Sequence, residues 1–265
     1  MSAYAMENPE EVARLEVKTD AALAREHLER VGLRPGMSVL DAGSGSGAVA
    51  RVIAGLVGEH GRVVALDLSG HRSLAGRGIA RAAGARRIAF VAGDVCAPPL
   101  REATFDLVWS RFLFGYLPDP DRALARLAAL ARPGGKVAVG EVDGHGLFHW
   151  PLPPRVAAGL PRFEAALAGA FDPYAGRKLY SRFRRAGLAD VRVHVLPYHL
   201  YTDGISEPQL YNWRLKLDTL RPVGVKALGG AAEWDAFARD YLAMLQDPDT
   251  LTYSVLHLVE GVRPA

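Results

Sequence analysis

The sequence is poor in the residues on which several kinds of binding site depend. Its 265 residues include one cysteine, Cys96, which excludes an internal disulfide and any zinc site built from several thiolates. No group of His, Asp and Glu residues occurs at metal-ligand spacing, so we expect no metal cofactor. A lone thiol suits a reducing compartment, and we expect a cytoplasmic location.

Long hydrophobic runs and dense basic charge are absent as well. No run of about 18 or more apolar residues occurs, and residues 1–20 are polar and acidic, so we expect neither a membrane span nor a signal peptide. The net charge is only +3, and the densest basic stretch, residues 72–87, is typical of the solvated face of a helix. We therefore expect no nucleic-acid partner and no membrane partner.

The best-defined pattern that the sequence does contain is a glycine-rich turn. An apolar run, residues 37–40, is followed by Asp41 and then by glycines at 43, 45 and 47. From Val49 onward, apolar residues recur at the helical spacing i, i+3, i+4, i+7 and i+8. The pattern predicts a buried strand, a tight turn that exposes backbone N–H groups, and an amphipathic helix.

The turn alone fits more than one ligand. Gly43-x-Gly45-x-x-Ala48 satisfies the loose dinucleotide fingerprint, and Asp67 follows at a distance that suits a ribose hydroxyl. A tight turn that binds nothing is a third interpretation. The position of Asp41 before the glycines helps to distinguish these interpretations, because a site for a negatively charged pyrophosphate needs no acid there.

The segment Val39-Leu40-Asp41-Ala42-Gly43-Ser44-Gly45-Ser46-Gly47 resembles the first motif of the class I S-adenosylmethionine (SAM)-dependent methyltransferases, V-L-D-x-G-x-G-x-G. SAM has no phosphate, and its methionine end carries an ammonium group that a nearby carboxylate favours. Asp67, Asp94 and the turn Leu130-Ala131-Arg132-Pro133-Gly134-Gly135 follow in the order of that family. The resemblance covers about residues 10–142.

The resemblance implies an α/β fold with a Rossmann-like, doubly wound seven-stranded sheet, in which strand seven is antiparallel. The last five strands are predicted at 88–92, 105–109, 136–142, 191–196 and 253–262. We predict a helix over 9–31, and two more over 207–220 and 232–245, separated by turn residues near 222–224 and 229–230.

Three parts follow from this arrangement. Residues 1–35 are expected to form an N-terminal helical lid, and residues 36–198 with 251–265 the SAM-binding domain. Residues 199–250 are expected to form a helical cap inserted between the last two strands, because tight hairpin loops hold only about 2–5 residues. The aromatic residues of the cap suit an aromatic or partly apolar small substrate, although each of them also fits a role in packing alone.

The resemblance also implies roles for individual residues. Asp67 takes the ribose hydroxyls, Leu68 packs on the adenine, and Asp94 with the Val95 N–H binds the adenine edge. A basic residue of the first helix meets the SAM carboxylate, with Arg14 as the candidate and Lys18 behind it. The complete predicted cofactor set is Arg14, Asp41, Gly43, Ser44, Gly45, Asp67, Leu68, Asp94, Val95, Ser110 and Arg111.

The reaction predicted is methyl transfer from SAM, with S-adenosyl-L-homocysteine (SAH) as product, to an O, N or C nucleophile of a small molecule. His145 and His149, after strand five, are candidate general bases, since a neutral imidazole accepts a proton near pH 7. The predicted substrate contacts are Tyr116, His199, Tyr211 and Arg214. We expect a monomer or a homodimer. Two alternatives stay open: an NAD(P)-dependent oxidoreductase, and a SAM-fold protein that acts as a cyclase or transfers no methyl group.

Overall fold

The protein is described by a computed structural model that covers residues 6, 8 and 10–265, the side chains of 145–147 excepted. Its centre is one seven-stranded sheet with the strand order β3-β2-β1-β4-β5-β7-β6. The strands are β1 (Ser38–Ala42), β2 (Arg62–Asp67), β3 (Ile88–Ala92), β4 (Phe105–Arg111), β5 (Ala131–Trp150), β6 (Ala189–Tyr201) and β7 (Leu251–Val262). Strand β7 is antiparallel to both of its neighbours, and the strands from β3 to β5 are parallel, which confirms the predicted fold class.

Helices cover both faces of the sheet. They are α1 (Glu11–Lys18), α2 (Ala21–Arg30), α3 (Ala48–Val57), α4 (Gly70–Ala82), α5 (Pro120–Leu130), α6 (Pro154–Leu167), α7 (Ala175–Arg185), α8 (Glu207–Leu228) and α9 (Ala231–Gln246). One apolar cluster joins α2 and α3 to one face of the sheet, and a second joins α5 and α7 to the other face. None of the helices in the described residues combines the length and apolar character needed to cross a bilayer.

A third apolar cluster lies apart from the sheet, at the ends of the long strands. It is built by α6, α8 and α9, with Trp213, Trp234 and Phe237 among its buried side chains. Helix α1 packs against α8 across this layer. The helical layer thus takes in α6, which lies outside the predicted cap segment 199–250; the division into lid, SAM-binding domain and cap stays a prediction.

Several elements differ in extent from the sequence-based prediction. The helix predicted over 9–31 is two helices, because the side chain of Asp20 caps the start of α2 by accepting from the N–H groups of Ala22 and Leu23. Helix α8 continues through Pro222 to Leu228, and Gly229, with a φ of 95°, caps its end. Strands β5 and β6 continue well beyond 142 and 196, since both pair with β7 along its length.

Candidate active site

A cavity of about 240 Å³ opens at the carboxyl ends of β1, β2 and β4. This is the edge of a parallel sheet at which open α/β folds bind ligands. Nine of the residues predicted to contact the cofactor line it: Asp41, Gly43, Ser44, Gly45, Asp67, Leu68, Asp94, Val95 and Arg111. We call this space the cofactor cavity.

The glycine turn forms the floor of the cofactor cavity. The N–H groups of Gly43 and Ser44 donate to the carbonyl of Leu66, so the turn is bound to the end of β2. Gly43 and Gly45 have φ values of 76° and 57°, which favour glycine. A Cβ at Gly45 would lie 2.7 Å from a methyl group of Leu15. The turn therefore depends on glycine for both its backbone conformation and its close packing.

Asp41 is a buried acid with a free acceptor. Its side chain is 3% exposed, and its Oδ2 atom has no hydrogen-bond partner among the described residues. Burial raises the pKa of this carboxyl to about 7, with Arg111 opposing the shift and Asp67 adding to it. An unsatisfied carboxylate in this position favours a cationic ligand.

Asp67 is fixed by several donors at the end of β2. Its Oδ2 accepts from the N–H of Gly45 at 2.8 Å, and its Oδ1 accepts from the N–H of Ser69 at 2.9 Å. The guanidinium of Arg72 also donates to Oδ1, at 3.0 and 3.1 Å. Beside it, Leu68 is 61% exposed, an apolar side chain presented to the cavity. Asp67 thus links the glycine turn to the start of α4.

Asp94 and Val95 follow the end of β3 and line the same cavity. The Asp94 side chain is exposed, and its Oδ1 accepts from the N–H of Cys96 at 2.8 Å. The Val95 side chain is buried at 6% exposure. The loop therefore presents a carboxylate, on a turn fixed by the Cys96 N–H, to the same cavity as Leu68.

The basic side of the cofactor cavity differs from the prediction. Arg14 does not line it: its guanidinium binds both carboxylate oxygens of Glu11 at 2.6 and 2.7 Å and also contacts Asn212. Lys18, one turn further along α1, lines the cavity instead. Its ammonium lies 4.6 Å from the centre of the Phe112 ring. Burial, with Arg14 and Arg111 nearby, lowers the pKa of Lys18 to about 7.

Ser110 is also placed differently from the expectation. Its hydroxyl donates to the carbonyl of Ala42 at 2.9 Å, so it ties β4 to β1 inside the sheet rather than lining the cavity. Arg111 does line the cavity, with its guanidinium 4.8 Å from the centre of the Phe112 ring.

A second, more apolar cavity of about 90 Å³ lies under the helical layer. It is lined by Met6, Tyr116, Leu160, Phe163, Glu164, Leu167, Phe171, Pro173, Trp213, Lys216, Leu217, Leu220, Phe237 and Tyr241. Tyr116 belongs to both linings, so its side chain stands where the two cavities meet. We call this second space the acceptor cavity.

Glu141 holds the segment that carries Tyr116. It is 1% exposed, and its Oε1 accepts from the N–H of Phe114 at 2.6 Å. Burial raises the pKa of Glu141 to about 7, while backbone N–H groups of the same turn oppose the shift. Tyr116 is also packed against Phe171, with the ring centres 4.7 Å apart. The junction between the cavities is thus held from β5 and from the loop before α7.

Three of the four residues predicted to contact substrate lie outside both linings. Tyr211 and Arg214 are exposed on the outer side of α8, and the Tyr211 hydroxyl donates to Glu10. His199 is buried within β6 behind Trp213, with ring centres 5.6 Å apart. Burial holds the pKa of His199 well below its usual range. Helical periodicity explains why Tyr211 and Arg214 lie outside the cavity: they are on the outer face of α8, and Trp213 and Lys216 occupy its inner face.

The predicted general bases are not supported by the described geometry. His149 lies inside β5 rather than after it; its Nδ1 is 2.8 Å from the Thr252 hydroxyl and its ring packs edge-on to Tyr241. It lines neither cavity. The side chain of His145 is outside the described residues. The prediction placed both after a strand end at 142, whereas β5 runs to Trp150.

Sequence reasoning missed the main residues of the acceptor cavity. Phe163, Phe171, Phe237 and Tyr241 come from α6, the following loop and α9, and no motif connects them. The apolar spacing of α6 and α9 predicts buried faces, but it does not reveal that these faces meet around an open space. Lys216 gives a stronger signal, since a lysine on the apolar face of a helix is unusual.

Comparisons with known proteins agree with this geometry. A family model described as a methyltransferase domain matches residues 39–135, the part that supplies most of the lining of the cofactor cavity. The chain is 31% identical over 264 residues to nocamycin O-methyltransferase of Saccharothrix syringae, covering 92% of this chain and 91% of that protein. It is 28% identical over 190 residues to demethylmenaquinone methyltransferase of Bacillus cereus, covering 67% of this chain and 79% of that protein.

Among solved structures, phosphoethanolamine N-methyltransferase 2 of Haemonchus contortus, in complex with SAM, shares the fold with a TM-score of 0.59. The identity is 19%, and the match covers 92% of this chain and 53% of that chain.

Proposed function

Because the chain belongs to the class I SAM-dependent methyltransferases, we propose that it binds SAM in the cofactor cavity and methylates an oxygen of a small, largely apolar molecule. The choice of oxygen among the O, N and C nucleophiles is supported by the relative named as an O-methyltransferase, which matches nearly the whole chain.

One observation carries the proposal. A cavity bordered by acids at three strand ends meets a more apolar cavity, and among the described residues Tyr116 is the one side chain that lines both. Methyl transfer requires a donor and an acceptor held end to end with water excluded, and most of its catalysis comes from this positioning. The two cavities offer that arrangement.

The residues of the cofactor cavity fit SAM. The free Oδ2 of Asp41 and the backbone of the glycine turn suit the ammonium of the methionine end. The turn lies too close to neighbouring side chains to accept a Cβ on Gly43 or Gly45. Asp67 would hold the ribose hydroxyls, and exposed Leu68 would cover the adenine. Lys18 and Arg111 would hold the carboxylate. When bound, SAM supplies an electrophilic methyl group on a sulfonium.

The chain's own contribution is to align the acceptor with the methyl group and to enclose both. Tyr116, held by Glu141 and Phe171 through the contacts described above, separates the two spaces and limits the direction from which an acceptor approaches. The aromatic walls of the acceptor cavity exclude water from the acceptor oxygen.

The proposal is tested by ligand-dependent stability and by transfer of label. SAH or SAM should raise the melting temperature with a concentration dependence that follows one binding site, and NADH or NADPH should leave it unchanged. Label from methyl-labelled SAM should then appear in a phenolic or carboxylic acceptor. Stabilisation by a nicotinamide cofactor alone would favour the oxidoreductase alternative, and SAM binding without transfer to any acceptor would favour the cyclase or non-methylating alternative.

Asp67→Asn is the matched variant for this experiment. The amide keeps the shape of the side chain but loses the charge and one acceptor. We expect the affinity for SAH, measured by calorimetry, to fall by on the order of tenfold or more, as for the loss of a charge-assisted hydrogen bond. Unchanged affinity would remove Asp67 from the cofactor site. Asp190→Asn, at the start of β6 and far along the sheet from β2, is the control.

A further inference from the structure

Among the residues that the structure describes, helices cover the far ends of the long strands β5, β6 and β7 on one face only. That face packs on the helical layer, as in the edge-on contact between the rings of His149 and Tyr241, whose centres lie 5.5 Å apart. The opposite face is covered by α7, which begins beside the middle of β7: a Cβ added at Gly176 would lie 3.0 Å from the His257 ring. Beyond His257, this second face continues past α7 to the ends of the strands.

The alternation of side chains along β7 is inverted in this uncovered part. The hydroxyls of Thr252 and Ser254 contact histidines on the inner face, and both residues are buried, whereas Leu251 and Tyr253 are exposed. An antiparallel strand with one solvated face normally carries its apolar residues inward and its polar residues outward. The inverted order indicates that the outer face of these strands is covered when the protein is in solution.

Exposed apolar residues lie on all three strands of this outer face. Trp150 of β5 pairs with Leu251 of β7 and is 77% exposed. Val195 of β6 is 64% exposed, and Leu200 follows the register shift between Tyr198 and Tyr201. Same-face residues of paired strands are neighbours, so they form one stripe. We call this stripe the outer apolar face; its exposed members are Trp150, Val193, Val195, Leu200, Leu251 and Tyr253.

The size of the outer apolar face fits a contact between two protein molecules. Its six exposed members leave on the order of 600 Å² open to solvent, as much as the largest apolar patches of ordinary monomers. Pro197 and the half-buried Phe148, which stacks on Tyr253, extend the same face. A stable interface buries about 800 Å² on each partner, polar rim included. The outer apolar face with its rim therefore supplies the area that one half of a dimer needs.

Charges of opposite sign lie at the two ends of the outer apolar face. Asp203 and Asp249 are exposed in the turns where β6 ends and β7 begins. These turns adjoin, since a Cβ at Gly204 would lie 3.0 Å from the carbonyl oxygen of Gln246. At the other end, Arg184 is exposed in the last turn of α7. The acidic end disfavours an anionic lipid surface, whereas two copies packed antiparallel bring the acidic end of each against the basic end of the other.

We infer that a second copy of this chain covers the outer apolar face, which makes the protein a two-fold symmetric dimer. The extended parts of β5, β6 and β7 pack face to face, with Trp150 and Val195 among the side chains that interdigitate between the two sheets. Each copy supplies the layer that the other lacks, because the helical layer covers only the inner face. The outer apolar face belongs to neither cavity lining, so the inference does not depend on the proposed function.

The oligomeric state of the full chain tests the inference. Sedimentation equilibrium is measured over protein concentrations from about 1 to 100 µM, without added ligand. We expect a monomer–dimer equilibrium with a dissociation constant on the order of micromolar or lower, as for interfaces of this size. A chain that remains monomeric over the whole range would overturn the inference.

Substitutions at separate positions of the stripe locate the contact. Val195→Lys and Leu251→Lys each place a charge in the interface, and the symmetry places it there twice. We expect each to raise the dissociation constant on the order of 100-fold or more, because the ammonium is buried without a partner. Leu74→Lys is the matched control, since Leu74 is also 64% exposed but lies on α4. It should leave the equilibrium unchanged, and circular dichroism shows that each variant is folded.

Three other results would contradict the inference. A dimer that neither Val195→Lys nor Leu251→Lys weakens uses another surface. Equal weakening by Leu74→Lys would reflect added charge rather than its position. Binding of a monomeric chain to phosphatidylcholine vesicles, lost in Val195→Lys, would mean that a lipid surface covers the outer apolar face. Sedimentation requires no SAM, so a failure of the proposed function would appear in the ligand experiments and not here.

Discussion

Asp41 is a carboxyl group in surroundings that disfavour its charged form. It is buried without a partner for Oδ2, and its pKa is raised from 3.8 to about 7. Between these pH values the folded protein retains a proton that the unfolded chain has released. The contribution of Asp41 to stability is therefore greatest below pH 3.8 and is lost as the pH rises to about 7. The free enzyme is destabilised at neutral pH by a group that suits a cationic ligand.

Asp41→Asn should accordingly separate stability from binding. At pH 8 and without ligand, we expect the variant to be more stable by on the order of 2 kcal/mol, because no charge is buried. SAH affinity should fall by on the order of tenfold, because the ammonium loses its carboxylate. Denaturant unfolding and calorimetry measure the two effects. The stability gain should shrink as the pH is lowered to 5; a gain that is independent of pH would contradict the assignment.

His149 is of a residue type that often acts as a general base, but its contacts are those of a packing residue. Its ring is fixed between Thr252 and Tyr241. His149→Gln should lower stability by about 1 kcal/mol through the lost contacts and leave kcat within a few-fold. If His149 were the general base, its replacement would lower kcat on the order of 100-fold or more. Steady-state kinetics with saturating SAM decide between these outcomes, and the melting temperature shows that the structural effect occurred.

At the scale of elements, α8 is the segment that the local sequence describes least well. Pro222 and Gly224 predict a break, yet α8 runs through both for 22 residues. The reason is packing: Gly224 faces α9, where the ring of Trp234 occupies the space of a side chain. A Cβ at Gly224 would lie 1.9 Å from that ring. The glycine therefore permits close approach of two helices rather than ending one.

Gly224→Ala should then destabilise the protein by about 1–3 kcal/mol or more, since α8 or Trp234 must move. Gly78→Ala is the matched control. Gly78 is exposed within α4, with nothing within 4 Å of an added Cβ, so the same change should stabilise by about 0.5–1 kcal/mol. Denaturant unfolding of both variants compares them. Equal effects in the two would mean that helix propensity alone acts and that the contact with Trp234 carries no cost.

At the scale of the whole molecule, the sheet and the helical layer provide one cavity each, and Tyr116 lies between them. The long strands β5, β6 and β7 make this possible, because they extend beyond the parallel strands and end beneath α6, α8 and α9. The two cavities are thus built largely from separate parts of the chain. Filling one cavity should leave the other intact.

Leu220→Trp tests this separation. Leu220 lines the acceptor cavity and is half-buried, so the larger ring should fill the cavity without rebuilding the core. We expect turnover to fall by on the order of tenfold or more while SAH affinity stays within about twofold. Arg214→Ala and Tyr211→Ala, on the outer face of α8, should change neither quantity. Parallel losses of turnover and SAH affinity in Leu220→Trp would indicate a single continuous site.

The sequence by itself determined the sheet and the cofactor cavity. The signals there are local: Asp41 beside its glycines, Asp67 and Asp94 directly after apolar strands. Parallel strands bring their carboxyl ends to one edge, so residues that follow successive strands must converge. Nine of the eleven predicted cofactor residues line that cavity for this reason. Arg14 and Ser110 do not, because a side chain's direction on α1 or within β4 depends on its partners, Glu11 and Ala42.

Only the tertiary structure decided the acceptor cavity and the position of Lys216 in its wall. Its walls come from α6, α8, α9 and the loop before α7, which meet through contacts between residues far apart in the chain. No periodicity distinguishes an apolar face that packs tightly from one that leaves a space. For the same reason the sequence did not reveal that His149 and His199 lie in the interior and that Lys216 lines the cavity. Burial follows from which elements pack together, and residue type alone does not contain that information.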